Sequence, residues 1–227
     1  MRINKYVALA SGLSRRAADV AVQNGRVWVN GTPAQTGQEV ADTDTVLFDG
    51  QPLRAPKATQ TILLHKPEGY VVSRDGQGSK TIYELLPPEL QQLKPVGRLD
   101  KNSSGLLLLT NDGQLAQQLT HPSYHKLKTY EVHLNQPLQP LHRQMISDHG
   151  VQLEDGPSKL ELERLHQGDD RAWRVRMHEG RNRQIRRTFA ALGYDVRRLH
   201  RTHFGSYSLG ELSSGEYQDA PTPPAAK

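Results

Sequence analysis

Asp100 is where the sequence concentrates its chemistry. It closes the segment KPVGRLD, two positions after Arg98. A Ser-Ser-Gly turn then leads into the apolar run Leu106 to Leu109. A charged group between two apolar segments is seldom without a partner, so a structural ion pair or a turn cap would account for it. A carboxylate kept ionised by a neighbouring cation can also stabilise or attack a developing positive charge, or remove a proton. The second concentration is of arginine. Residues 171–203 hold ten Arg (171, 174, 176, 181, 183, 186, 187, 197, 198 and 201) and no Lys, against Glu179 and Asp195 alone. Guanidinium groups present planar forks of donors suited to phosphates and base edges, so this bias points to recognition of a polyanion.

Other chemistries are absent. There are no cysteines among the 227 residues, which excludes disulfides, thiolate nucleophiles and zinc–thiolate sites and permits a reducing cytoplasm. The ten histidines are scattered over strands and loops. Only His121 and His125 have helical metal-ligand spacing, and Pro122 breaks the helix that such a pair would need. No metal site is expected. No apolar run suits a signal peptide or a membrane span, so the expectation is a cytoplasmic protein without membrane contact. The net charge is +5, from 29 Lys and Arg against 24 Asp and Glu, which by itself says little about partners.

The elements that must position these residues divide the chain. Ile3, Tyr6, Val7 and Ala10 recur at helical spacing up to Ser11-Gly12. Ser14 can cap a second helix that ends at Asn24-Gly25. Val27 and Val29 alternate with polar neighbours before the hairpin signal Asn30-Gly31, and Thr45 to Phe48 reads as a further strand ending at Asp49-Gly50. The segment 51–60, QPLRAPKATQ, reads as a linker. Beyond it, buried strands are expected at Ile62 to Leu64, Val96 to Asp100 and Leu106 to Leu109. A short helix should end near Leu119. Tyr130, Val132 and Leu134 share one strand face, as do Trp173, Val175 and Met177. A helix over about 182–192 places Arg183, Arg186 and Arg187 on one face. Strands of antiparallel character with few helices indicate an α+β fold with a mixed or antiparallel sheet.

Three blocks near the start, RINKYVA, GLSRRAAD and NGRVWVNG, resemble the S-four-type RNA-binding module; the resemblance implies that Arg15, Arg16 and the Arg26 to Gly31 segment face RNA, and Arg2 and Lys5 are counted with them as the module's basic residues. GRLD with SSGLLLLTNDG resembles the catalytic motif of pseudouridine synthases, in the branch that modifies ribosomal RNA at single sites. HKPEGYVVS, HPSYHKLKTYEV and EGRNRQIRRTFAALGYDVRRLHR continue the match in order. The resemblance implies an S-four-type module over 1–58 and a catalytic domain over 59–217, and the tail QDAPTPPAAK, residues 218–227, reads as disordered. The resemblance implies further that Asp100 is the catalytic carboxylate and Arg186 its ion-pair partner. Tyr130 would lie under the uracil and handle the C5 proton, Arg98 would hold the space left by the flipped base, and Leu199 would close the pocket. Arg183 is taken as a further substrate-binding residue. No cofactor is implied, and the partner is ribosomal RNA, bound by a monomer. The Leu-rich SGLLLLTNDG and the RRAAD block look closer to large-subunit than to small-subunit members. A non-catalytic ribosome-associated RNA-binding protein is the rival reading, and it leaves the set Asp100, Tyr130 and Arg186 without a purpose.

Overall fold

The computed structural model describes residues 1–41, 43–54 and 59–221, and the chain forms two compact units, 1–59 and 60–227. In the first, α1 (Ile3–Ser11) stops where Gly12 takes a left-handed φ of 79°, and α2 (Arg15–Gln23) is capped by Ser14, whose hydroxyl accepts from the Ala17 amide. A four-stranded antiparallel sheet follows, with strands β1 (Val27–Val29), β2 (Thr32–Pro33), β3 (Val46–Phe48) and β4 (Gln51–Pro52) in the order β2-β1-β3-β4. Asn30-Gly31 and Asp49-Gly50, all at positive φ, turn its two hairpins. Ile3, Tyr6, Val7, Ala18, Val22, Val27 and Val46 make its small core. Gln51 and Pro52 therefore belong to this sheet, not to the expected linker. Residues 55–58 of that linker lie outside the described residues.

The second unit is built on a mixed sheet. Its strands are β5 (Thr61–Lys66), β6 (Lys94–Pro95), β7 (Ser104–Thr110), β8 (Lys128–Leu134), β9 (Val151–Leu153), β10 (Gly156–Ser158), β11 (Glu161–Arg164), β12 (Ala172–Met177), β13 (Val196–Phe204), β14 (Tyr207–Ser208) and β15 (Tyr217–Asp219). The main path runs β11-β12-β8-β13-β7-β5-β15, with β9 and β10 as a separate hairpin. Among the described strands the β13–β7 pair is the parallel one, and it involves His200 with Ser104 and Arg201 with Gly105. The helices are α3 (Gly113–Thr120), α4 (Pro140–Gln144) and α5 (Gln184–Ala190), so the α+β expectation holds.

Alternate residues of β5 and β7 enter different cores. Ile62, Leu64, Leu107 and Leu109 pack in one, and Leu63, Leu106 and Leu108 in the other. The unbroken run LLLL is thus the mark of a strand covered on both faces. Two expectations fail here. Val96 to Asp100 is no strand: after β6, Gly97 takes φ 71° and the chain turns away, so the GRLD segment is an irregular loop. Within the expected disordered tail, Gln218 and Asp219 pair with Leu63 and Ile62 in β15, which satisfies the open edge of β5, and residues 222–227 lie outside the described residues.

Candidate active site

Asp100 sits on the loop between β6 and β7, and four groups hold that loop. The Ser103 amide donates to the Asp100 carbonyl at 3.1 Å, and the Gly69 amide donates to the Lys101 carbonyl at 2.8 Å. The Lys66 ammonium, fully buried at the end of β5, donates to the Ser103 carbonyl at 2.6 Å and to the Pro67 carbonyl at 3.0 Å. Burial pushes the Lys66 ammonium down to about 8, while Glu68 and Asp100 act the other way. Arg186 is the remaining clamp. Its guanidinium donates to the Asn102 carbonyl at 2.5 Å, to Ser103 Oγ at 3.3 Å and to the Val196 carbonyl at 2.7 Å.

The carboxylate opens into a cavity of about 630 Å³ lined by Arg98, Asp100, Tyr130, Arg183 and Leu199, among others. Tyr130 and Leu199 come from neighbouring antiparallel strands and are almost covered, at 7% and 6% exposure. They give the cavity an apolar and aromatic wall. Arg183 stands just before α5 with a left-handed φ of 46°, and its Nη1 lies 3.4 Å from Asp100 Oδ2 and 3.5 Å from Asn102 Oδ1.

The expected pairing of Arg186 with Asp100 is not made. Arg186 spends its donors on backbone carbonyls behind the loop, and the contact with Asp100 falls to Arg183. Because α5 starts at Gln184, Arg183 lies outside the helix and reaches forward, while Arg186, within the first turn, points back. Burial, with help from Arg183, lowers the affinity of Arg186 for its proton, and Asp100 and Glu68 raise it. Arg186 thus contributes field and rigidity.

Several members of the arginine cluster are engaged within the fold. Arg174 and Arg176 both pair with Glu163, Arg181 and Arg187 both pair with Asp155, and Arg201 is buried. Among the described residues, no group of three or more His, Cys, Asp or Glu could hold a metal ion, and no helix is long and apolar enough to cross a membrane. In the first unit, Arg2, Arg15 and Arg16 are exposed and Lys5 is half-buried. Arg26 differs. It forms a two-pronged ion pair with Asp49, which lowers the Asp49 carboxyl below its usual range, so its charge is already met within the unit.

Sequence reasoning missed Lys66, Lys128, Gln184, Arg201 and Phe204. The alternation of β8 carries a signal for Lys128, which shares the side of Tyr130. Phe204 lacked one, because the register of β13 against β8 slips by a residue between Arg201 and His203.

The sequence model of the family described as RNA pseudouridylate synthase matches residues 60–191, and that of the S4 domain matches residues 1–46. The chain belongs to the RNA pseudouridylate synthase family. A ribosomal large subunit pseudouridine synthase B of Xanthomonas campestris is 40% identical over 227 residues, covering 95% of this chain and 46% of that protein. A ribosomal small subunit pseudouridine synthase A of Pasteurella multocida is 36% identical over 221 residues, covering 96% of this chain and 95% of that protein. The chain therefore spans about half the length of the large-subunit relative and nearly all of the small-subunit one. A crystal structure of a pseudouridylate synthase superposes with a TM-score of 0.68 at 34% identity, over 96% of this chain and 95% of that one.

Proposed function

We propose that this protein isomerises a uridine of ribosomal RNA, in the large subunit, to pseudouridine, with Asp100 as the catalytic carboxylate. The observation that carries the reading is the placement of Asp100 on a clamped loop, facing a cavity walled by Tyr130 and Leu199 and beside the Arg183 cation. The reaction breaks the N1–C1′ bond, joins C5 to C1′, removes the C5 proton and returns one proton to N1. Cleavage builds positive charge on the sugar, and an ionised carboxylate stabilises or attacks that charge, as in glycosidases. Removal of the 2′ proton to give a glycal uses the same carboxylate. The uracil stays bound, so a second carboxylic acid is not needed to expel it. The Arg183 cation stands beside the carboxylate, and the wall of Tyr130 and Leu199 keeps water from one side of the sugar cation.

The target base must leave its stack, at a cost of about a few kcal/mol that apolar and aromatic walls offset. Tyr130 serves as the surface under the ring and handles the C5 proton, Leu199 closes the other side, and Arg98 fills the space the base vacates. No step transfers electrons or an external group, so the reading has no cofactor. It places the enzyme in the cytoplasm as a monomer. Its RNA-binding module is residues 1–58, and its catalytic domain begins at 59. The assignment to the large subunit rests on the higher identity to a large-subunit synthase; the small-subunit relative matches over more of its own length and supports that substrate as the second reading. The test is to treat ribosomal RNA from a deletion strain with carbodiimide and map primer-extension stops. One stop should vanish from the large-subunit RNA, return with the wild-type gene and stay absent with Asp100→Asn. Loss of a small-subunit stop would select the second reading, and full rescue by Asp100→Asn would remove Asp100 from the chemistry.

A further inference from the structure

Two of the cavity's cations, Arg201 and Lys128, share an aromatic ring and have no ion pair among the described residues. Arg201 is 2% exposed and lines the cavity; its Nε donates to the Leu106 carbonyl at 2.8 Å, and its Nη2 is buried with no acceptor among the described residues. Lys128, half-buried, donates from Nζ to the Glu179 carbonyl at 2.9 Å. The Phe204 ring serves both, with the guanidinium carbon 4.9 Å and the ammonium 5.4 Å from its centroid. Register explains the grouping. Tyr130 opposes Arg201 and Lys128 opposes Phe204 across the β8–β13 pair, and the one-residue slip between them brings Phe204 opposite Lys128. Burial and the nearby Arg201 charge both push the Lys128 ammonium below its ordinary value.

Neither carboxylate lining the cavity answers these charges. Asp100 meets Arg183, while Glu179 meets Arg181 at 3.0 Å and accepts from Gln184 Nε2 at 3.3 Å. A guanidinium cannot shed its proton to escape burial, and an unanswered buried donor costs free energy in the folded chain. Such a group is retained where a ligand supplies the acceptor.

We propose that Arg201 and Lys128 form a phosphodiester subsite that holds the RNA backbone next to the uridine bound over Tyr130. Two like charges call for a net anion. Uracil is neutral, whereas the backbone brings one negative charge per nucleotide. Because Arg201 stands directly opposite Tyr130, a phosphate bound there belongs to the reacting nucleotide or its immediate neighbour. The subsite rests on the reading that the cavity takes an RNA uridine.

The test uses the full-length protein and short RNA substrates carrying a single neutral methylphosphonate linkage at each position around the target. With wild type, one linkage flanking the target should lower kcat/KM by roughly ten- to hundredfold, the worth of a hydrogen bond to a charged group. In Lys128→Met the same linkage should cost less than about twofold while the other linkages keep their effects. Lys128→Arg should restore the wild-type pattern. Lys128→Gln provides a second neutral variant should the Met protein melt early, and Arg201→Lys tests the other cation without removing its charge. Identical linkage profiles in wild type and the neutral variants, or a wild-type profile flat around the target, would overturn the subsite. Wild-type turnover of the unmodified RNA is read separately, and its absence would count against the uridine reading itself.

Discussion

Arg183, and not Arg186, is the guanidinium beside the Asp100 carboxylate: Nη1 of Arg183 lies 3.4 Å from Oδ2, whereas Arg186 binds the carbonyls of Asn102 and Val196. The two residues stand three apart at the start of α5, and the left-handed backbone at Arg183 sends their side chains to different places. The ion pair is half exposed, with 44% and 33% of the two side chains open to solvent. Such a pair contributes little to stability, so its use is in the field at the carboxylate.

Replacing each arginine by glutamine should therefore fail differently. Arg183→Gln is expected to lower kcat by roughly tenfold or more while the melting temperature stays within about 2 °C of wild type. Arg186→Gln should remove about 2–3 kcal/mol of stability, because its charge-assisted bonds tie the Asp100 loop to the strand following α5. Calorimetry and single-turnover rates on the same preparations separate the effects. An Arg186→Gln protein as stable as wild type would return Arg186 to the role of a simple charge partner.

Tyr130→Phe probes the proton at C5. The ring is almost covered, so the phenylalanine keeps the wall of the cavity and removes only the hydroxyl. If that hydroxyl moves the proton, tritium release from 5-tritiated uridine should slow by roughly a hundredfold, the lower range for a positioned acid or base. Release at the wild-type rate would leave Tyr130 as a surface for the base.

Much of this arrangement was legible because it follows local rules. The Gly12 and Ser14 caps, the Asn30-Gly31 turn and the alternation in β8 and β12 are set by neighbours in sequence, and the structure has them where their residue types require. What escaped depends on the third dimension. The chain turns at Gly97, just after the Val96 amide makes its bond to the Leu108 carbonyl of β7. Arg201 reads as one more surface arginine in a run of basic residues, and only the packing of β13 against β7 shows that it is buried. The route of Arg186 behind the loop is set by carbonyls about 10 and 84 residues distant, beyond any local pattern.

Gly105 should tolerate no side chain. Its φ is 106°, and a Cβ there would lie 2.2 Å from the Arg201 carbonyl oxygen and 2.5 Å from the Arg201 amide nitrogen. Those atoms belong to the strand that carries Leu199 and Arg201, so they move only by shifting the cavity wall. Gly105→Ala is expected to cost about 3 kcal/mol or more, from overpacking and an unsuitable φ together. Urea unfolding measures this. A loss under about 1 kcal/mol would mean that β7 and β13 part easily at their parallel contact.

His200 should make the fold sensitive to acid. Its ring is buried beside Ser104, whose hydroxyl lies 2.9 Å from Nδ1. Burial foremost, then Arg198 and His65, pushes the imidazole down to about 4, with Glu131 opposing. The unfolded chain takes up this proton near 6.5, the folded chain only near 4, so stability is fully present above pH 6.5 and falls as the pH drops between those values. The loss is on the order of 2 kcal/mol. Urea midpoints at pH 7.5 and pH 5 should converge in His200→Gln relative to wild type, and equal pH dependence in the two proteins would remove His200 as the source.

The last expectation separates anchoring from chemistry. Every candidate for the reaction lies after residue 60, and the first unit carries Arg2, Lys5, Arg15 and Arg16 without an ion-pair partner among the described residues, Arg26 being held by Asp49. Phosphate contacts supply affinity through counterion release, with log K falling by about 0.7 to 0.9 per neutralised phosphate for each tenfold rise in salt. If these four cations touch phosphates, a protein lacking residues 1–59 should show a salt slope shallower by roughly 3, and its affinity at low salt should fall most. The maximal rate on a short saturating RNA should change little, since the loop clamped by Lys66 and Arg186 is intact. Folding of the truncated protein is checked first by its melting transition, because removing a unit can expose apolar surface. A folded truncation that keeps the full slope would show that the first unit is no RNA anchor. One that is folded yet inactive at saturation would place part of the reacting centre within residues 1–59.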